Sequence, residues 1–135
     1  MTAAALTIER IAVRADRLSL LVRVAPGAPR LTDAAFARSL VAERPTLAHH
    51  TCVNPFGPTL GAVIARTSLP HVLEHVIIDE QVRHPRSLTD ATFVGTTEWL
   101  DEAAGLARVE VNFLDDLVAL EAMRNALSFV NGKVV

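Results

Sequence analysis

The segment His71-Val72-Leu73-Glu74-His75 carries the residue types that hold a divalent metal, at the spacing a helix would use. At about 100° per residue, His71 and His75 project from one helix face a single turn apart, with Glu74 beside them. Two imidazoles so placed can grip one ion. Zinc accepts neutral His nitrogen and carboxylate oxygen in a tetrahedral shell, and a catalytic zinc keeps one position for a water whose proton a nearby carboxylate removes. The order H-x-x-E-H reverses H-E-x-x-H but supplies the same parts, with His71 and His75 as ligands and Glu74 as base.

With five His and eight Glu in the chain, chance placement gives this pattern in roughly one such chain in a hundred, so its setting matters. Leu69, Val72, Leu73, Val76 and Ile77 cover the far side of the helix, and Ile78 and Val82 continue the histidine side. A helix apolar over most of its girth is largely buried. Burying two His and a Glu without partners costs several kcal/mol, which a shared metal or a hydrogen-bond network would offset. Two arrangements satisfy that requirement: a metal site, or a His71–Glu74 pair with His75 capping a neighbouring carbonyl.

A third protein ligand is expected to be a carboxylate from elsewhere in the fold. Glu98, Glu110, Asp115, Asp116 and Glu121 are the candidates, and Glu121 is preferred. It lies on the final helix in a polar stripe with Arg124, Asn125 and Ser128, which lines a cleft or forms that helix's solvated face. Glu110 alternates outward from Val109 and Val111, Asp115 is needed as a helix cap, and Asp116 favours the positive end of the same helix. Asp79, one turn beyond His75, is placed to orient that imidazole as an acceptor behind the metal, or is a solvated carboxylate. His49 and His50 fall in a turn-rich stretch where either would contact substrate, donate a proton or simply be hydrated. Arg66 and Arg124 have the guanidinium that pairs with a substrate carboxylate, and equally serve surface ion pairs. Cys52, the only cysteine, has no activating partner nearby in sequence and reads as a small buried apolar residue.

These side chains need a scaffold. Ile8 to Arg14 and Leu18 to Val24 alternate as two strands of a hairpin around Ala15-Asp16-Arg17. Pro26, Gly27 and Pro29 end it, and Thr32 is expected to cap a helix running to about Glu43. Residues 49 to 61 hold Asn54-Pro55-Phe56-Gly57-Pro58, a loop signal, with a short helix expected from Thr59 to Ala65. Ser68, with Pro70 confined to the first turn, starts the motif helix, which His84-Pro85 stops near Arg83. Thr92 to Leu100 and Leu106 to Phe113 form a second hairpin, and Asp115 caps a last helix ending near Asn131, with Gly132 just past it. The expected fold is α+β in the order ββααββα, a four-stranded and mainly antiparallel sheet packed against helices.

The chain has 135 residues, half of them hydrophobic, which suffices for one core and one domain. A net charge of −2 gives no global positive field for nucleic acid or an anionic membrane. Scarce aromatics remove the stacking platform of single-strand binders. A lone cysteine forms no internal disulfide, Met1 to Leu6 lacks the basic start of a secretion signal, and no apolar run approaches the roughly 20 residues that span a bilayer. A cytoplasmic protein is expected. A sheet of this kind could dimerise through an edge, giving a homodimer.

The stretch Leu69 to Gln81, Leu-Pro-His-Val-Leu-Glu-His-Val-Ile-Ile-Asp-Glu-Gln, resembles the helix found in the N-terminal domain of cyanophycin synthetases. The likeness extends downstream to Val109–Phe113 and the Ala-rich segment from Asp115 to Val130, about half the chain in all. The core also resembles the inverted zinc motif of pitrilysin and insulinase-type metallopeptidases. In those enzymes the distal Glu lies farther from the motif than the 60 residues that follow His75 here, so the cyanophycin synthetase domain is the closer pattern, and its final-helix Glu aligns with Glu121. The resemblance implies a metal-dependent hydrolase of peptide or isopeptide bonds acting on a peptide or polyamide-like substrate. The chain has no G-x-x-x-x-G-K-[ST] phosphate loop, so ATP-driven polymerisation is not expected of it. The other reading is a noncatalytic interaction or assembly domain that keeps the same helix for packing.

Overall fold

In the computed structural model, which describes residues 4–87 and 92–134, two hairpins join into one sheet. β1 (Leu6–Val13) pairs with β2 (Arg17–Val24), and β5 (Gly95–Asp101) pairs with β6 (Leu106–Asn112). β2 and β6 then meet antiparallel, Leu20 opposite Val109, giving the order β1-β2-β6-β5. Between the hairpins lie α1 (Ala34–Glu43), a 3₁₀ turn at Pro45–His49, β3 (Thr51–Asn54), β4 (Gly57–Thr59) and α2 (Leu69–Arg83), and α3 (Asp116–Lys133) closes the chain. The fold is α+β with a four-stranded antiparallel sheet against helices, as the patterning predicts.

Period-two alternation sorts the sheet faces. Leu18, Leu20, Val22 and Val24 point inward with Val109 and Val111, while Arg17 and Arg108 point outward and are exposed. Helix α2 lies against β5 and β6, α3 against β1 and β2, and the two helices pack on each other. This leaves α2 with ten buried residues, among them Leu73, Val76 and Ile77. Among the described residues no helix is long and apolar enough to cross a membrane.

Three local expectations change. Asp33, not Thr32, caps α1, its carboxylate accepting from the Phe36 amide at 2.8 Å. Thr32 is buried instead, and its hydroxyl and amide bond Thr67 at 2.9 and 2.8 Å, tying the approach to α1 to the entry of α2. Helix α3 runs through Gly132 to Lys133. Its last turns are held from outside: the Asn131 amide side chain bonds both the N–H and the C=O of Leu6, and Lys133 pairs with Glu43. The helix expected from Thr59 shrinks to a 3₁₀ turn at Leu60–Ala62.

The stretch read as a loop folds into the small β3–β4 hairpin. Pro55 and Phe56 are its two turn residues, and Asn54 Oδ1 accepts from the Phe56 amide at 2.9 Å, an Asx turn that pins the corner. A bond from Leu60 N to His50 O at 2.8 Å draws the hairpin's two ends together. His50 and Cys52 are thereby carried onto the first half of α2.

Candidate metal centre

Ser68 begins the helix that presents the motif. Its hydroxyl accepts from the His71 amide at 3.2 Å, and Pro70 sits in the first turn where its missing N–H costs nothing. His71 and His75 then face the same way, ring centroids 4.9 Å apart. Opposite them stands Cys52, its Sγ 3.5 Å from His71 Nε2. One donor atom from each of Cys52, His71 and His75 lies within 4.8 Å of the others, the single three-donor group of this kind among the described residues. With Zn–S near 2.3 Å and Zn–N near 2.0 Å, the S···N edge of a tetrahedral shell is about 3.5 Å. The Cys52–His71 spacing therefore suits a metal without rearrangement. This buried group can hold a metal ion.

The free nitrogens follow from the other contacts. His71 Nδ1 is 2.8 Å from the Thr67 hydroxyl, so its Nε2 is the nitrogen left for Cys52 or an ion. His75 Nδ1 is 3.1 Å from His50 Nδ1, which leaves His75 Nε2. That atom lies 3.6 Å from Glu74 Oε2, so Glu74 stands next to the three donors rather than among them. The other Glu74 oxygen accepts from the Thr97 hydroxyl on β5 at 2.7 Å. Gly95, also on β5, leaves the space that Glu74 fills: a Cβ there would come within 2.8 Å of Glu74 Cγ.

Electrostatics favour a cation. Burial pushes the His75 ring down to about 3, with His71 and His50 adding to the effect, and burial lowers His71 as well, so both imidazoles are neutral at physiological pH. Burial raises the Glu74 carboxyl, against the Thr97 hydrogen bond and the nearby His50 ring. Glu74 is only 4% exposed, and among the described residues no Lys or Arg pairs with it. A divalent ion beside it, with a Cys52 thiolate, would bring the cluster to zero net charge. The chemistry of the donors and this buried acid without a Lys or Arg partner among the described residues both fit a metal.

The remaining sequence candidates lie elsewhere. Glu121, the expected third ligand, is exposed and binds His84 Nε2 at 3.1 Å. His84 is nine residues past His75, about 13 Å along a helix axis. Cys52 stands where a carboxylate was foreseen: it is buried in the apolar core, as expected, and its thiol also has a partner that the sequence did not show, His71. Arg124 shares the exposed stripe of α3 with Glu121, Asn125 and Ser128, which is the solvated-face alternative. Glu98 pairs with Arg108, Glu110 lies 3.9 Å from Arg17, and Asp115 caps α3 through the Leu117 and Val118 amides. Asp116 follows in the first turn of α3. His49 and Arg66 are exposed.

No protein-family model matches the chain, and no curated protein does.

Asp79 is 2% exposed and meets Thr46 Oγ1 at 2.8 Å and Arg44 at 3.0 Å. It reaches the centre through His50, whose Nε2 is 3.7 Å from Asp79 Oδ1. Burial works against its charge, but His50, Thr46 and Arg44 outweigh it and hold the carboxyl well below the usual carboxylate range. Sequence reasoning missed Cys52, Thr67, Gly95 and Thr97. A signal existed only for Cys52: a lone thiol two residues after His50, next to a turn.

Proposed function

We propose that this chain is a zinc-dependent hydrolase of peptide or isopeptide bonds. The observation that carries the reading is the convergence of Cys52 with His71 and His75, beside a buried Glu74 that among the described residues pairs with no Lys or Arg. A thiolate with two imidazoles is a soft donor set that selects zinc over magnesium, calcium or manganese. Three protein donors leave a tetrahedral ion one open position, as hydrolytic sites require. When bound, the ion would supply Lewis acidity toward a carbonyl oxygen and toward water.

The protein's own groups do the rest. Glu74 takes a proton from the attacking water and passes it to the leaving nitrogen; its raised affinity for protons suits a base that must also act as an acid. Thr97 aims the carboxylate by holding one oxygen, leaving the other toward His75. Thr67 holds the His71 ring. His71, only partly buried, marks the side from which substrate enters. The likeness of Leu69–Gln81 to the cyanophycin synthetase N-terminal domain supports a peptide or isopeptide substrate.

The test is cleavage of α-linked and side-chain-linked oligopeptides by zinc-loaded protein purified without a His tag. Glu74→Gln is expected to retain zinc and lose at least about 100-fold in rate. Equal turnover of an accepted substrate by that variant would overturn the assignment of Glu74. Stoichiometric zinc with no cleavage of either linkage would favour the noncatalytic assembly domain.

A further inference from the structure

We propose that His50 is a positioning residue that, polarised by Asp79, fixes His75 in the tautomer whose Nε2 is free to bind metal. The inference rests on the metal reading above and adds to it the residue that sets the ligand's proton.

His50 and His75 approach through like atoms, Nδ1 to Nδ1 at 3.1 Å, their rings tilted by 47°. At that distance one nitrogen must carry the hydrogen and the other must accept it. With one proton on each ring there are two arrangements. If His50 Nδ1 donates, its Nε2 is a bare lone pair facing Asp79, and His75 keeps its proton on Nε2, where an ion would have to displace it. If His75 Nδ1 donates, the His50 proton sits on Nε2, toward the Asp79 carboxylate 3.7 Å away. That distance is too long for a direct hydrogen bond, but the charge of a buried carboxylate still favours N–H over a lone pair in front of it. Asp79 thus selects the second arrangement.

Asp79 is built to stay in place and charged. Arg44 meets one of its oxygens at 3.0 Å and Thr46 the other at 2.8 Å, while Arg83 stands 3.6 Å away. Arg44 is itself clamped by Glu80 at 2.7 Å and by the face of the Phe129 ring at 4.4 Å. A metal-bound histidine commonly gives its other N–H to a carboxylate. Here a second histidine is inserted between the two, so the carboxylate acts one ring further away. His50 can do this because the Leu60–His50 backbone bond and the preceding 3₁₀ turn fix where its ring enters.

The experiment measures the tautomer and its consequence separately. In the metal-free wild type, long-range ¹H–¹⁵N NMR of the imidazoles is expected to show His75 protonated at Nδ1, and to show Nε2 protonation gaining population in Asp79→Asn. His75 protonated mainly at Nε2 in the wild type would overturn the proposal. Zinc affinity by chelator competition is then compared for His50→Asn, whose Oδ1 replaces the accepting Nδ1, and His50→Leu, which fills space without accepting. Leucine is expected to weaken zinc binding about 10- to 100-fold, with asparagine restoring most of it. Equal affinity of the leucine variant and the wild type would overturn the role of His50. If the wild type takes up no stoichiometric zinc, the metal reading fails, and the NMR measurement still decides the tautomer.

Discussion

Cys52 Sγ lies 3.5 Å from His71 Nε2 although 19 residues separate the two in the chain. The contact is made by folding the Asn54–Gly57 turn into a hairpin that lays β3 against α2. A hydrogen-bonded thiol and imidazole alone would explain the pair, but not the approach of His75 and the buried Glu74 to the same point.

Removal of the thiol separates packing from ligation. Cys52→Ala is expected to weaken zinc binding by more than about 100-fold, beyond the loss typical of an outer-shell change, while costing the metal-free fold only about 1 kcal/mol. Chelator competition and denaturant melts measure the two effects. Near-wild-type affinity in Cys52→Ala would remove the thiol from the metal site.

Glu74 places a functional demand on stability. Burial raises its carboxyl, so ionising it costs the metal-free fold stability. Glu74→Gln keeps an acceptor for Thr97 without the charge and is expected to raise the melting temperature of metal-free protein at pH 8, by about 3 °C for each kcal/mol relieved. A melting temperature lowered in the variant would show that the carboxylate is already compensated.

The histidines give the metal-free protein an acid-sensitive core. Below the ordinary histidine value of 6.5 the unfolded chain binds a proton that folded His75 refuses until about pH 3, so His75 makes stability fall as pH drops through that window. Glu74 acts oppositely: its folded pKa is raised above 4.5, so its contribution is lost as pH rises. The carboxyl of Asp79, depressed from 3.8, adds stability that disappears as pH falls. The steepest loss is therefore expected below about pH 4.5, where the histidine and Asp79 effects share a sign. Urea melts of His75→Gln should show a shallower decline than wild type. Parallel profiles would mean that His75 titrates alike in both states.

Gly95 is the least replaceable small residue near the site. In Gly95→Ala the new Cβ would meet Glu74 Cγ and the Glu110 carbonyl, each at 2.8 Å. Overpacking of this kind costs about 1–3 kcal/mol, and it should also weaken zinc binding by pushing on the turn of α2 that carries His71 and His75. A variant with unchanged melting temperature and zinc affinity would show that β5 yields easily.

Helix α2 was legible because Ser68, Pro70, the apolar girth and the i, i+4 histidines all agree on one element. The two long hairpins were legible by alternation, and Asp115 by its place before α3. The centre was half legible. His71, Glu74 and His75 are local in sequence, whereas Cys52 is brought in by a hairpin whose Pro and Gly read equally well as plain loop. Glu121 misled because a polar stripe on a helix looks the same whether it lines a cleft or faces water. Asp79 was expected to address His75 directly, and the intervening ring of His50 comes from a separate segment whose path no local pattern predicts.

Glu121 supplies the control. Its exposed contact with His84 predicts that Glu121→Ala leaves zinc affinity unchanged and alters stability by less than about 0.5 kcal/mol. Loss of zinc in that variant would return the third ligand to a carboxylate.

Titration of tag-free protein with cobalt(II), read in the ultraviolet and visible, asks most directly whether Cys52, His71 and His75 form a metal centre. One equivalent is expected to bind, with strong tetrahedral ligand-field bands and a thiolate-to-metal charge-transfer band that vanishes in Cys52→Ala. Absence of saturable binding, or a spectrum without a thiolate band, would contradict a centre built on Cys52, His71 and His75.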